Sequence, residues 1–167
     1  MIVVADTSVI LNLCRVQHEL LLQQLYRRVL IPAQVAAEFA RLSTAQPRFM
    51  GLVLPVWVET LPAPRFLPPE VIQANLDLGE SAAIALCLSL KADALLIDES
   101  LGRQVAAQLG MRTIGILGVL IQARRRQIIP EILPVLKRLE TEAGFWIAPN
   151  MRARVLAIAN EAHTTGS

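Results

Sequence analysis

The sequence predicts an α/β protein of three layers, in which helices cover both faces of a central, mainly parallel sheet. Short apolar runs alternate along the chain with segments of helical spacing. Two of these runs, residues 2–5 and 94–97, contain only apolar residues, which is typical of strands buried on both faces. An aspartate follows each run directly, Asp6 in the first case and Asp98 in the second.

Helices and strands alternate in a regular order. The Leu-rich segments after Asp6 have helical spacing, Pro32 suits the first turn of a helix, and Gly110 suits a helix end. Residues 79–90 are apolar on nearly every side, which predicts a central helix. The predicted helices are 7–16, 18–28, 33–42, 69–75, 79–90, 101–109, 119–127, 131–143 and 152–162. The predicted extended segments are 2–5, 29–31, 54–61, 94–97 and 112–115, and residues 145–147 form a further short apolar segment.

The length of 167 residues indicates one domain. We expect this domain over residues 1–162, with a core over about 1–120, a helical extension over about 121–162 and a polar tail at 163–167. The Pro-rich stretch at 62–69 predicts a bend, because too little chain lies on either side of it for two cores.

The composition is unusually apolar, with 54% hydrophobic residues and a mean hydropathy of +0.48. No uncharged apolar stretch reaches about 18 residues, so we expect no membrane span. Asp6 interrupts the first apolar run and no basic residue precedes it, so we do not expect this segment to be a secretory signal. Cys14 and Cys87 lack metal-ligand spacing, and buried thiols in a cytoplasmic protein explain them more simply than a disulfide. The apolar excess predicts a buried sheet, an oligomer interface or both.

Charge alone does not identify a nucleic-acid binder, because the formal net charge is only +2. Basic pairs and triplets do occur, among them residues 124–126, and a solvated helix face explains each of them equally well. Only 4% of the residues are aromatic, which argues against a base-stacking platform.

Four carboxylates are expected at one edge of the sheet. Asp6 and Asp98 follow strands, and the functional crevice of a parallel sheet lies beyond the strand ends. Glu38 borders the apolar stripe of its helix, and Glu80 lies in the first turn of the central helix. Acids placed together raise each other's pKa unless cations lie between them. All-oxygen ligands suit Mg²⁺ or Mn²⁺, so the sequence predicts such a site.

Each of these acids also has a purely structural explanation. Asp6 and Asp98 are each placed to cap the helix that follows. Glu80 is placed to interact favourably with a helix dipole, and Glu38 suits a solvated helix surface. Two separate apolar strands both end on aspartate. Four independent structural roles at the same edge of the sheet would be a coincidence, so these explanations are less convincing for the whole set than for any single acid.

Four blocks in this order resemble the signature motifs of PIN-domain nucleases. The blocks are VADTSVILNL at 4–13, VAAEF at 35–39, LGESAAIAL at 78–86 and LLID at 95–98. The resemblance covers about the first 120 residues, and the following GILGVL at 115–120 resembles a prokaryotic branch with extra C-terminal helices. It implies a metal-dependent endoribonuclease, often the toxin of a toxin–antitoxin pair and commonly a homodimer.

The resemblance also implies roles for individual residues. The metal-binding and catalytic acids would be Asp6, Glu38, Glu80 and Asp98. Thr7 or Ser8 matches the hydroxyl that orients the first aspartate, and Asn12 matches a frequent polar position. The Leu-Ile-Asp-Glu ending at 96–99 differs from the commoner Thr-Asn-Asp type, which leaves the role of Glu99 open.

Arg103 lies one turn into the helix after Asp98. Two explanations of Arg103 remain open, namely contact with a substrate phosphate and pairing with Glu99 on the same helix.

Two other classes of protein do not fit the sequence. A haloacid-dehalogenase-type phosphotransferase would need an acid at position 8, where Ser8 stands, and residues 115–118 lack the fingerprint of a dinucleotide-binding protein. The remaining alternative is a PIN-like scaffold with little cleavage that binds RNA or a protein partner.

Overall fold

The computed structural model describes residues 1–159. Its five parallel strands form one sheet in the order β3-β2-β1-β4-β5. The strands are β1 (Ile2–Ala5), β2 (Arg28–Pro32), β3 (Glu59–Leu61), β4 (Ala94–Leu96) and β5 (Thr113–Ile114). The α-helices are α1 (Thr7–Arg15), α2 (Leu20–Leu25), α3 (Ala33–Ala45), α4 (Pro69–Gln73), α5 (Leu78–Leu90), α6 (Ser100–Gln108), α7 (Ile116–Arg125), α8 (Leu133–Thr141) and α9 (Pro149–Ile158), with a 3₁₀ turn at Pro47–Phe49.

The predicted three-layer α/β/α fold is confirmed. Helix α5 packs over β1, β2 and β4 and contacts α6, whereas α2 and α7 contact each other and pack on β2 and β5. The chain moves from β1 to β2 in one direction and returns from β3 to β4 in the other. With right-handed crossovers, these opposite directions place the connecting helices on opposite faces of the sheet.

The sheet reverses its direction of winding between β1 and β4. Ala5 lies in register with Leu96, and the Asp6 N–H donates to the Leu96 carbonyl over 2.9 Å. Ligand sites of parallel α/β proteins lie at such a switch point, beyond the carboxyl ends of the strands. Both predicted aspartates therefore follow strands that border this crevice.

The core agrees with the apolar runs of the sequence. Val3, Val4 and Leu95 are fully buried in the strands, and every residue from 79 to 87 of α5 is buried, as predicted for a central helix. Cys14 and Cys87 are buried free thiols, also as predicted. Within residues 1–159, no helix combines the length and apolarity that crossing a membrane requires.

Several predicted boundaries are wrong. The extended segment predicted at 54–61 forms a strand only over β3, because residues 55–58 form a turn in which the Val58 N–H donates to the Pro55 carbonyl over 3.1 Å. The helix predicted at 18–28 is limited to α2, and α3 continues to Ala45. Helix α7 begins three residues early, since the Asp98 carboxylate accepts the Ile116 N–H over 2.9 Å at its first residue. The predicted tail at 163–167 and the end of the last predicted helix lie outside the described residues.

Candidate functional site

Asp6 lies at the centre of the crevice between β1 and β4. Its side chain is only 5% exposed, and its backbone is held by the hydrogen bond to Leu96. It occupies the N-cap position of α1, but its carboxylate makes no capping hydrogen bond there. Asp6 therefore does not form a standard side-chain cap, and within α1 only the backbone of Thr7, the first residue of that helix, acts on its carboxylate.

Glu38 reaches the same crevice from α3. Its Oε2 atom accepts a hydrogen bond from the Thr7 hydroxyl over 2.9 Å. Thr7 itself is buried, and Ser8 and Asn12, one helical turn apart on α1, line the same cavity. The hydroxyl predicted to orient the first aspartate thus contacts the second acid in this structure.

Glu80 is held by a capping box at the start of α5. Its N–H donates to Asp77 Oδ1 over 2.7 Å, and the Asp77 N–H donates to Glu80 Oε2 over 3.3 Å. The Glu80 side chain is nevertheless buried and lines the cavity with Asp6 and Glu38. Glu80 therefore has both its structural role as a helix cap and a position in the acidic cluster.

Gly79 leaves the space into which the carboxylates point. A Cβ atom placed on this residue would lie 2.6 Å from Glu38 Oε2, 3.5 Å from Asp77 Oδ1 and 3.6 Å from Asp6 Oδ1. Oxygens from three separate elements thus surround a position that only glycine leaves empty. Sequence reasoning missed Asp77 and Gly79 as site residues. The D-x-x-E spacing before an apolar helix was the available signal, because it predicts a capping box.

Asp98 is turned away from this cavity. Its Oδ1 atom binds the Ile116 N–H at the start of α7, and its Oδ2 atom is buried with no hydrogen-bond partner in residues 1–159. The neighbouring residue, Glu99, lines the acidic cavity instead. The structure therefore brings together three of the four predicted acids and places the fourth in an adjoining groove.

Burial and mutual repulsion make the cluster costly to ionise. The pKa of Asp6 is raised to about 7, mainly by burial and further by Glu80, Asp77 and Glu38, while the Thr7 backbone opposes the rise. Burial also raises the pKa of Glu80, and Asp77, Glu99 and Glu38 add to this effect. A cation among these oxygens would relieve both costs.

Asp98 experiences a different environment. Burial raises its pKa, whereas the Ile116 N–H and the nearby Arg103 lower it. Arg103 forms no ion pair with Glu99 in the described part of the chain. Four arginines line the groove beside Asp98, namely Arg103, Arg112, Arg125 and Arg154.

The acidic cavity has a volume of about 430 Å³ and a second, largely non-acidic wall. This wall combines the 3₁₀ turn with the loop between α8 and α9. Its residues are Arg48, Phe49, Ala143, Gly144, Phe145 and Trp146. Within residues 1–159, no three or more His, Cys, Asp or Glu side chains stand close enough to form a closed metal site.

Comparison with known proteins supports the same interpretation as the fold. A family model described as a PIN domain matches residues 2–161, nearly the whole chain. No curated protein and no solved structure matches the sequence. The match confirms the resemblance found in the four sequence blocks, and the chain belongs to the PIN-domain family.

Proposed function

We propose that this chain is a metal-dependent endoribonuclease that hydrolyses RNA phosphodiester bonds with Mg²⁺ or Mn²⁺ as its cofactor. PIN domains are generally nucleases and typically use divalent metals. One observation carries the proposal for this chain, namely the gathering of Asp6, Glu38, Asp77 and Glu80 in one cavity, with oxygens of the first three around the space above Gly79. Buried acids that have raised pKa values and share a cavity are characteristic of functional sites.

The donor set fits a hard divalent cation. All the candidate ligands are carboxylate oxygens, which Mg²⁺ and Mn²⁺ prefer. The side chains are spread more widely than in a closed site, but Mg²⁺ usually keeps several waters and needs only one or two carboxylates. Asp6, Glu38 and Glu80 would hold the ion. When bound, it would supply a water of lowered pKa and neutralise charge on the phosphate oxygens.

The protein's own residues orient this site. The Thr7 hydroxyl fixes Glu38, and the capping box fixes Glu80, so both acids are positioned before any ligand arrives. We propose that Glu99, which shares the cavity, takes the fourth acidic position. The prediction that Asp98 is a ligand stays a prediction, and its observed contact stabilises the start of α7.

The arginine groove suits the backbone of a nucleic acid. Its four arginines make no ion pair with a carboxylate of residues 1–159, so their charges are available to phosphates. Replacing Arg125 and Arg154 with Ala should weaken RNA binding at low salt. The slope of log affinity against log salt should fall by about 0.7 for each phosphate that the two arginines neutralise in the wild type. An unchanged slope would exclude the groove from the RNA path.

The physiological setting is also a proposal. The family suggests the toxin of a toxin–antitoxin pair, a homodimer and a small antitoxin partner, in the cytoplasm, where the buried thiols of Cys14 and Cys87 stay reduced. Expression of the wild-type chain should then slow growth, expression of Asp6→Asn should not, and a co-expressed partner from an adjacent short reading frame should relieve the effect. Light scattering that gives a monomer would contradict the dimer.

A scaffold with little cleavage is the alternative, and the position of Asp98 favours it, because one predicted acid lies outside the cavity. The deciding experiment is a ribonuclease assay on mixed RNAs with Mn²⁺ or Mg²⁺. We expect cleavage by the wild type and by Glu70→Gln, a control on an exposed helix, but not by Asp6→Asn or in EDTA. Metal-independent RNA retention without cleavage in all variants would support the scaffold.

A further inference from the structure

An aromatic group borders the acidic cavity, although the sequence is poor in aromatic residues. Three of the seven aromatic side chains, Phe49, Phe145 and Trp146, line this one cavity. Trp146 is 79% exposed. An indole left in water forfeits a large hydrophobic gain, and ligand cavities are typically lined by aromatic side chains together with a few polar groups. The low overall aromatic content gives no indication of this grouping, because folding brings the three side chains together from two distant segments.

The backbone around Trp146 is anchored on both sides. The Phe145 N–H donates to the Leu139 carbonyl over 2.9 Å, and Ile147 is buried in the core. Trp146 lies between these two fixed residues with its ring in solvent. The exposed ring is therefore carried by an anchored stretch of backbone.

Arg48 joins the two halves of the wall. Its Nη1 atom donates to the Ala143 carbonyl over 3.2 Å, and its guanidinium lies 5.6 Å from the centre of the Phe49 ring. Gly144 has φ +68° and packs so closely on Arg48 that a Cβ atom would collide with the guanidinium. The 3₁₀ turn and the α8–α9 loop therefore present one continuous surface of aromatic rings and a cation to the cavity.

We propose that Trp146, together with Phe49 and Phe145, forms a stacking subsite for an unpaired nucleobase of a single-stranded RNA. This inference rests on the proposed function, since it places the base next to a phosphate at the carboxylates. Every nucleobase has a π-face, so stacking is tolerant of sequence, whereas the bases of a duplex are already stacked on each other. The subsite therefore selects single strands without selecting a sequence.

The test uses the full chain with Asp6→Asn, so that cleavage does not consume the RNA. Trp57→Phe removes the other tryptophan and leaves Trp146 as the fluorophore. A single-stranded 12-mer should quench its fluorescence, and a hairpin duplex of equal charge should not. Trp146→Ala should weaken single-strand binding by about 5- to 150-fold, and Trp146→Phe should retain most of it. Phe66→Ala, exposed outside the cavity, serves as the matched control.

The outcomes separate this inference from the proposed nuclease activity. Equal single-strand affinity of Trp146→Ala and its parent would overturn the inference, as would equal quenching by the duplex. A change of oligomeric state in Trp146→Ala with unchanged RNA affinity would instead identify a protein interface and also overturn it. If the wild type fails to cleave but binds single strands through Trp146, the nuclease proposal fails and the stacking subsite stands. If cleavage depends on the metal but neither cleavage nor RNA affinity changes in Trp146→Ala, the nuclease proposal stands and the stacking subsite fails.

Discussion

Without metal, Asp6→Asn should stabilise the protein at neutral and alkaline pH. The pKa of Asp6 is about 7 in the folded chain, against an ordinary value of 3.8 that applies to the unfolded chain. The folded state therefore holds a proton that the unfolded state has lost, and stability falls as pH rises between these two values. Each pH unit costs about 1.4 kcal/mol, so the ionisation of Asp6 costs on the order of 4 kcal/mol at pH 8. An asparagine at this position does not ionise and avoids this cost.

Urea unfolding in EDTA at a series of pH values from 4 to 8 measures the effect. The difference in unfolding free energy between Asp6→Asn and the wild type should be near zero at pH 4 and grow to about 4 kcal/mol at pH 8. Glu70→Gln is the control, because Glu70 is exposed on α4 and its replacement should not change the pH profile. A variant that is less stable than the wild type at pH 8 would refute the repulsive acidic cluster.

Adding Mn²⁺ or Mg²⁺ to the same samples tests the metal. A ligand at one hundred times its dissociation constant stabilises the state it binds by about 2.7 kcal/mol. We expect this gain in the wild type and not in Asp6→Asn. The gain should be larger at pH 8 than at pH 5, because protons compete with the metal for the carboxylates. Equal stabilisation of both proteins would show that the ion binds elsewhere.

Three further predictions concern neighbouring residues. Gly79→Ala should keep near-wild-type stability, because helix propensity improves by about 0.5–1 kcal/mol, but titration calorimetry should show about tenfold or more weaker Mn²⁺ binding. Its control is Gly118→Ala, a helical glycine whose Cβ would meet only Ile114 at 3.0 Å. Gly144→Ala should lose about 1–2 kcal/mol in urea unfolding because its φ is positive, and unchanged stability would contradict this. Glu99→Gln should weaken Mn²⁺ binding without loss of stability. Asp98→Ala should instead cost about 1–3 kcal/mol of stability and leave the Mn²⁺ affinity largely unchanged. The reverse pattern would favour Asp98 as the ligand.

The interior of the sheet was predictable because burial leaves a clear signal. A strand covered on both faces must be apolar at every position, and β1 and β4 follow this rule. Asp6 is the next residue after β1, so a correct prediction of the strand also places Asp6 at the edge of the sheet. Helix α5 was equally clear, since only a helix packed on all sides is apolar all round.

The edges of the sheet were less predictable. Strand β3 pairs on one side only, and its three residues are partly exposed, so no apolar run marks it. The cavity wall that contains Phe49 and Trp146 could not be predicted either, because no local sequence pattern marks it. Almost one hundred residues separate them along the chain, and the contact of Arg48 with Ala143 that joins their segments has no local sequence pattern.

Asp98 shows where local reasoning reaches its limit. Asp98 and Glu99 follow the same buried strand, and adjacent side chains on extended backbone point to opposite sides. One carboxylate must therefore face the cavity if the other faces away, but the sequence of the strand does not say which. The choice is made by the Ile116 N–H, eighteen residues later, which binds Asp98 and leaves Glu99 at the acidic cluster. A long-range hydrogen bond, and no feature of the motif itself, thus decides which acid lines the cavity.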